Sequence, residues 1–132
     1  MVKNKKIVFL VEDDSAIADV YQIMFKKADF NVDVFSSGQE SIRAIEDIEK
    51  SEREKPDIFI IDLILPDMNG MEILAHIKES NTTKNVPVFI STNQEQTSVD
   101  SRGIQPDKFI VKAHITPTQL VELIKKQLKS ND

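Results

Sequence analysis

Cysteine and tryptophan are absent from this 132-residue chain, glycine occurs 3 times and tyrosine once. Without cysteine there is no thiol nucleophile, disulfide, iron–sulfur cluster or cysteine-ligated zinc. A chain of this length buries roughly two thirds of the surface its unfolded form exposes, so its core needs no covalent or metal staple. Long hydrophobic runs are absent too: none approaches the ~18 residues of a membrane-spanning helix. The apolar stretch after Met1-Val2-Lys3-Asn4-Lys5-Lys6 is too short for a secretion signal. The chain is therefore expected to stay in the cytoplasm, where it is made. Positive charge is in deficit, with 17 Lys and Arg against 22 Asp and Glu and a net charge of -5. That balance argues against binding a phosphate backbone, so no direct nucleic-acid partner is expected, and no membrane partner either. At 40% hydrophobic and 30% charged, residues 1–132 are expected to form a single domain with no output domain attached.

What is present is an alternation. Short apolar runs, Ile7 to Val11, Val32 to Phe35, Ile58 to Ile61, Val86 to Ile90 and Phe109 to Val111, are separated by segments of helical period. Several runs are continuously apolar, as strands buried on both faces of a parallel sheet should be. Ile17, Val20, Tyr21 and Met24 fall at helical spacing, as do Ile42, Ile45 and Ile48, then Ile73, Leu74 and Ile77, then Leu120, Leu123, Ile124 and Leu128. Ser37 with Glu40 and Thr116 with Gln119 read as capping boxes, with Pro117 at a first helical position. The segment from Asn93 to Asp107 is thinner: Val99 and Ile104 are its clear apolar residues, so a fourth crossover helix there should be short or weak. Ile48 to Pro56 looks extended and reads as a longer solvated helix end. Right-handed crossovers between parallel strands give an open, doubly wound α/β sheet whose sites lie outside the carboxyl ends of the strands.

Polar residues stand at those ends. The first run is followed by Glu12-Asp13-Asp14, the third by Asp62, the fourth by Ser91-Thr92 and the fifth by Lys112. Acids before a helix are commonly caps, and that is the reading for Asp14. Asp62 is different, because apolar residues flank it on both sides and a buried carboxylate needs a partner. With the first and third strands adjacent, Glu12, Asp13 and Asp62 would share one crevice, and Thr92 and Lys112 would reach it from the next strands. Two unit charges about 4 to 5 Å apart repel by roughly 4 kcal/mol at an effective dielectric of 20, so such a cluster needs a cation or raised pKa values. All-oxygen donors suit Mg²⁺, which keeps waters and accepts a phosphate oxygen. An ionised aspartate can itself attack phosphorus, so no histidine is needed nearby, and His76 and His114 read as surface or structural residues.

In these residues the sequence resembles the receiver domains of bacterial two-component response regulators over nearly its whole length. The resemblance rests on Val8-Phe9-Leu10-Val11-Glu12-Asp13-Asp14, on Ile60-Ile61-Asp62-Leu63-Ile64-Leu65-Pro66-Asp67-Met68-Asn69-Gly70, on Pro87-Val88-Phe89-Ile90-Ser91-Thr92 and on Phe109-Ile110-Val111-Lys112, in that order. It implies a flavodoxin-like, five-stranded parallel sheet in the order 2-1-3-4-5. It makes Asp62 the phosphoacceptor and assigns Mg²⁺ to Glu12, Asp13, Asp62 and the main-chain carbonyl of Ile64. Thr92 and Lys112 would bind the phosphoryl group, and Phe109 matches an aromatic switch position whose ring moves inward. Gly70 and Pro66 fit the turn after the acceptor. Ile64, Asn93 and Gln94 are expected to modulate access, and an apolar Ile64 cannot orient a hydrolytic water.

The resemblance implies a stand-alone receiver that takes its phosphoryl group from a sensor histidine kinase or phosphotransfer protein and signals to a separate downstream protein. It would catalyse its own phosphorylation and dephosphorylation without turning over an external substrate. Two residues depart from the family pattern. Asn93 replaces a small residue, and Ala113 stands where a cis-proline is common, so a trans Lys112-Ala113 bond is expected. The alternative reading is a pseudo-receiver, an unphosphorylated protein-interaction module. A dehalogenase-like phosphatase would want an aspartate at Ile64, and a flavin binder would not place three acids after its first strand.

Overall fold

A computed structural model describes residues 5–93 and 103–130. The chain runs β1 (Ile7–Val11), α1 (Ser15–Lys27), β2 (Asn31–Phe35), α2 (Gly38–Glu49), β3 (Ile58–Asp62), α3 (Gly70–Glu79), β4 (Val88–Thr92), β5 (Lys108–Val111), a 3₁₀ turn (Lys112–His114) and α4 (Pro117–Ser130). The strands form one parallel sheet in the order β2-β1-β3-β4-β5, the 2-1-3-4-5 order that the sequence implies.

Alternation along the strands builds two cores. Phe9, Val11, Phe59, Ile61, Val88 and Ile90 point to the face covered by α2 and α3. Val8, Leu10, Ile58, Ile60, Phe89 and Ile110 point to the face covered by α1 and α4. The central strands β3 and β4 are buried at every position, which is why residues 58–61 and 88–90 are apolar without alternation before the strands end in buried polar residues, Asp62 and Ser91-Thr92. Edge strand β2 does alternate, exposing Asn31 and Asp33.

All four helices with a sequence-level periodicity form, and their starts follow the expected chemistry. Asp14 caps α1 by accepting from the Ala16 and Ile17 N–H groups. Thr116 and Gln119 make a complete reciprocal box: the Thr116 hydroxyl accepts from the Gln119 N–H at 3.1 Å, and the Gln119 side-chain oxygen accepts from the Thr116 N–H at 2.8 Å. Ser37 caps α2, but the Glu40 carboxylate returns one residue further, to the Ser36 N–H at 2.8 Å and its hydroxyl at 2.7 Å.

Three details differ from the sequence reading. The fourth strand starts at Val88 and extends to Thr92, because Val86 closes a turn with the Thr83 carbonyl and Pro87 has no N–H for the ladder. The extension after Ile48 is a loop and not a longer solvated helix. Helix α2 ends at Glu49, Ser51 adopts a φ of 62°, and Arg53 folds back to lie 5.0 and 5.1 Å from the ring centroids of Phe9 and Phe35 while pairing with Asp33 at 3.1 Å. Strand β5 starts at Lys108, one residue before the apolar run, and Lys112 follows it as expected, opening the 3₁₀ turn. Most of the crossover expected to hold a short fourth helix, residues 94–102, lies outside the described residues, and so does Gln94. No peptide bond among the described residues is cis, so Lys112-Ala113 is trans.

Candidate functional site

The carboxyl ends of β1, β3 and β4 and the turn after β5 surround a pocket lined by Glu12, Asp13, Asp14, Ile17, Asp62, Ile64, Thr92, Asn93 and Lys112. The parallel ladder explains the convergence. The Glu12 N–H continues β1 by donating to the Phe35 carbonyl at 3.0 Å, which draws Glu12 under the rim until it is 2% exposed. Asp13, one residue on, faces solvent. Asp62 pairs in register with Ser91 and is 7% exposed. Thr92, next along β4, is buried and lies opposite Val111 of β5.

Glu12, Asp13 and Asp62 each offer a carboxylate oxygen, all within 4.8 Å of one another. The Lys112 ammonium donates to Glu12 Oε1 at 2.7 Å and to Asp62 Oδ2 at 3.1 Å. The other Asp62 oxygen, Oδ1, accepts from the Ile64 N–H at 3.3 Å, a local contact that the flanking apolar residues did not suggest. Burial raises the Glu12 carboxyl above its ordinary value, more than the Lys112 hydrogen bond and charge lower it. Burial alone would push the Lys112 ammonium down, but its hydrogen bond to Glu12 and the charges of Asp62 and Glu12 hold it above its usual value. The lysine is therefore a fixed cation. It offsets one of three clustered negative charges, and a divalent ion would offset the other two. This hard-oxygen donor set fits Mg²⁺.

The loop after Asp62 folds tightly. The Leu63 N–H reaches the Ser91 carbonyl at 2.8 Å, the Gly70 N–H reaches the Leu63 carbonyl at 2.7 Å, and Ile64 bridges Asn69. Gly70 is required by close approach, since a Cβ there would stand 2.6 Å from the Asp62 carbonyl oxygen. At the loop tip the Asp67 carboxylate accepts from the Gly38 and Gln39 N–H groups, each at 2.9 Å, a link to α2 that the sequence reading missed. Ile64 is 57% exposed at the pocket mouth, and exposed Asn93 also lines it. Phe109 is 41% exposed on edge strand β5, in register with Ile90, so its ring is outside the pocket.

The family described as the response regulator receiver domain matches residues 8–125. Among curated proteins, the DNA-binding response regulator MtrA of Mycobacterium tuberculosis is 25% identical over 127 residues, covering 95% of this chain and 51% of MtrA. The chain thus spans about half the length of such relatives. The solved signal receiver domain of a putative LuxO repressor protein from Vibrio parahaemolyticus is 28% identical with a TM-score of 0.78, over 96% of this chain and 92% of that one. The phosphorylated cyanobacterial phytochrome response regulator RcpA is 26% identical with a TM-score of 0.77, over 93% and 91%.

Proposed function

The chain belongs to the response regulator receiver domain family, and from that premise we propose that it is a phosphorylation-driven switch with Asp62 as the acceptor. Receivers take phosphoryl groups from histidine kinases or phosphotransfer proteins and bind Mg²⁺ in an acidic pocket. The observation that carries the reading is the position of Asp62, buried in the pocket with its carboxylate clustered with those of Glu12 and Asp13 and bonded to the Lys112 ammonium.

Glu12, Asp13, Asp62 and the Ile64 carbonyl would hold Mg²⁺, which supplies charge neutralisation for an incoming phosphoryl group. An Asp62 carboxylate oxygen forms the new O–P bond as the donor's bond to phosphorus breaks, and the electron pair leaves with the donor. A carboxylate nucleophile carries no proton to remove, so the transfer itself calls for no general base. Lys112 can follow the developing charge from its place against Asp62, and the Thr92 hydroxyl is within the same pocket to meet a phosphoryl oxygen. Phosphorylation would thereby favour one arrangement of Thr92, Lys112 and Phe109, and a partner would read that arrangement.

The test is incubation with an acyl phosphate and Mg²⁺, then separation on a phosphate-retarding gel. A shifted species is expected for wild type and none for Asp62→Asn. No shift in wild type, even with a competent kinase, turns the reading to an unphosphorylated interaction module. With apolar Ile64 at the mouth, the phosphoryl group should persist. That expectation fails if it decays within seconds and Ile64→Asn decays no faster. Output through a separate protein is part of the proposal, supported by the net charge of -5 against direct nucleic-acid contact. Its check is a DNA-binding assay on the phosphorylated chain: no specific binding is expected, and sequence-specific binding would overturn it.

A further inference from the structure

Three features outside the acid pocket stand out: the Arg53 cap over Phe9 and Phe35, the shallow charged groove beside it at the loop after α2, and the Asp67 link from the loop after β3 to the start of α2. Arg53 already has its partners in the rings and Asp33. The groove mixes Glu52, Arg53, Glu54 and Lys55 without a charge of one sign to select a ligand. The Asp67 link bears on chemistry.

Ile64 stands three residues before Asp67, in a loop closed at its base by the Gly70 N–H to Leu63 carbonyl bond and by the Ile64–Asn69 bridge. The tip, Pro66-Asp67-Met68, leans on α2 in two ways. The Asp67 carboxylate takes both free N–H groups of the first two residues of α2, and Met68 packs so closely on Gly38 that any Cβ there would collide with it. The two bonds satisfy orphan donors and complement the helix dipole. In this ionised, doubly bonded state the Asp67 carboxyl is held below its usual value, first by the Gly38 N–H and then by the Gln39 N–H. The same segment of chain is anchored to the pocket from the other side, because the Phe35 carbonyl accepts from the Glu12 N–H and Ser36 and Ser37 lead directly into α2. One short path therefore connects the loop that carries Ile64 to the strand end that carries Glu12.

We propose that Asp67 is a positioning residue for the metal site, fixing the Ile64 carbonyl relative to Glu12 and Asp13 by tethering the loop after β3 to the N-terminus of α2. The inference rests on the reading of the pocket as a Mg²⁺ site. A carbonyl on an untethered loop must be ordered at the moment the ion binds, and that ordering weakens affinity.

The test is a direct Mg²⁺ titration followed by backbone amide NMR, with wild type, Asp67→Ala, Asp67→Asn and the control Asp107→Ala. Asp107 gives up one comparable side-chain-to-backbone bond at the opposite end of the sheet, to the Val88 N–H at 2.8 Å. Asp67→Ala should weaken Mg²⁺ binding on the order of tenfold, the low end for residues that orient a metal ligand. Asp67→Asn, which keeps one acceptor oxygen, should recover part of the loss. Asp107→Ala should bind Mg²⁺ as wild type does, although it too is less stable. If Asp67→Ala does not fold, the isosteric Asp67→Asn carries the comparison, with a loss of a few-fold expected. Affinities within twofold of wild type for the Asp67 variants, or an equal loss in Asp107→Ala, overturn the proposal and leave Asp67 a purely structural clamp. No Mg²⁺ binding by wild type itself overturns the metal-site reading along with it, so the two failures are distinguishable.

Discussion

Asp62 is pulled by Lys112 at 3.1 Å and pushed by Glu12 and Asp13, whose oxygens lie within 4.8 Å. At an effective dielectric of 20 the attraction at that distance is worth roughly 5 kcal/mol and each repulsion at 4.8 Å roughly 3.5 kcal/mol, so the two repulsions exceed the one attraction by about 1–2 kcal/mol, which exposure of Asp13 reduces. Asp62→Asn should therefore stabilise the fold in metal-free buffer by about 1–2 kcal/mol, or several degrees in Tm. Adding Mg²⁺ should stabilise wild type more than the variant and shrink the gap. Calorimetric melts of both proteins with and without Mg²⁺ check this, and a lower Tm for Asp62→Asn without metal would contradict the charge account. The site residue is thus expected to be a liability to the fold that its ligand relieves.

Three Pro-Asp pairs recur along the chain, and each aspartate ties two elements together. Asp57, before β3, accepts from the Ile7 N–H that opens β1 at 2.7 Å; Asp107, before β5, accepts from the Val88 N–H that opens β4; and Asp67 reaches the start of α2. Asp107→Ala would leave the N–H of fully buried Val88 without its partner, a cost of about 1–3 kcal/mol in chemical denaturation, with unchanged phosphoryl transfer per folded molecule. The start of α2 makes a prediction in pH. Backbone and side-chain donors from Ser36 hold Glu40 below its ordinary 4.5, and the Gly38 and Gln39 N–H groups hold Asp67 below 3.8. A depressed carboxyl contributes stability above its unfolded pKa and loses it as pH falls through the folded value. Stability from these two groups should therefore begin to be lost below about pH 4.5 for Glu40 and below about 3.8 for Asp67, and be gone once pH has passed below their lowered folded values. Glu12, raised by burial, has the opposite sign: just above pH 4.5 the folded form takes up its proton first, which favours the fold as pH drops. Denaturant midpoints from pH 7 to pH 2.5 should fall less steeply at the acid end for Asp67→Asn than for wild type, and parallel curves would refute the clamp's charge dependence.

At the scale of the molecule, what could be read from sequence was what is local. Residues 58–61 of β3 and 88–90 of β4 are apolar because both faces are covered, and Glu12, Asp13, Asp62 and Lys112 were recognisable because polarity begins at the carboxyl ends of the strands. The Asp57, Asp67 and Asp107 bonds were not, because their partners lie 50, 29 and 19 residues away and a Pro-Asp pair looks like any turn. Nor was the fold-back of Arg53, whose loop composition is that of a solvated segment. The same division bears on how a donor approaches. Helix α1 starts at the pocket rim with Asp14 as its cap, and Ala16, Val20 and Ile23 face solvent in one stripe, Val20 at 48% and Ile23 at 55% exposure. A protein donor must cover this rim to bring a phosphoryl group to Asp62, and would bury the stripe as it does so. A small acyl phosphate needs neither. Ile23→Glu should therefore slow transfer from a protein donor by roughly tenfold, the effect of losing about 1.4 kcal/mol of contact, while leaving the rate with an acyl phosphate unchanged. Single-turnover rates with both donors check it. Equal slowing with both would place the defect in the pocket, and no slowing with either would move the docking surface off α1.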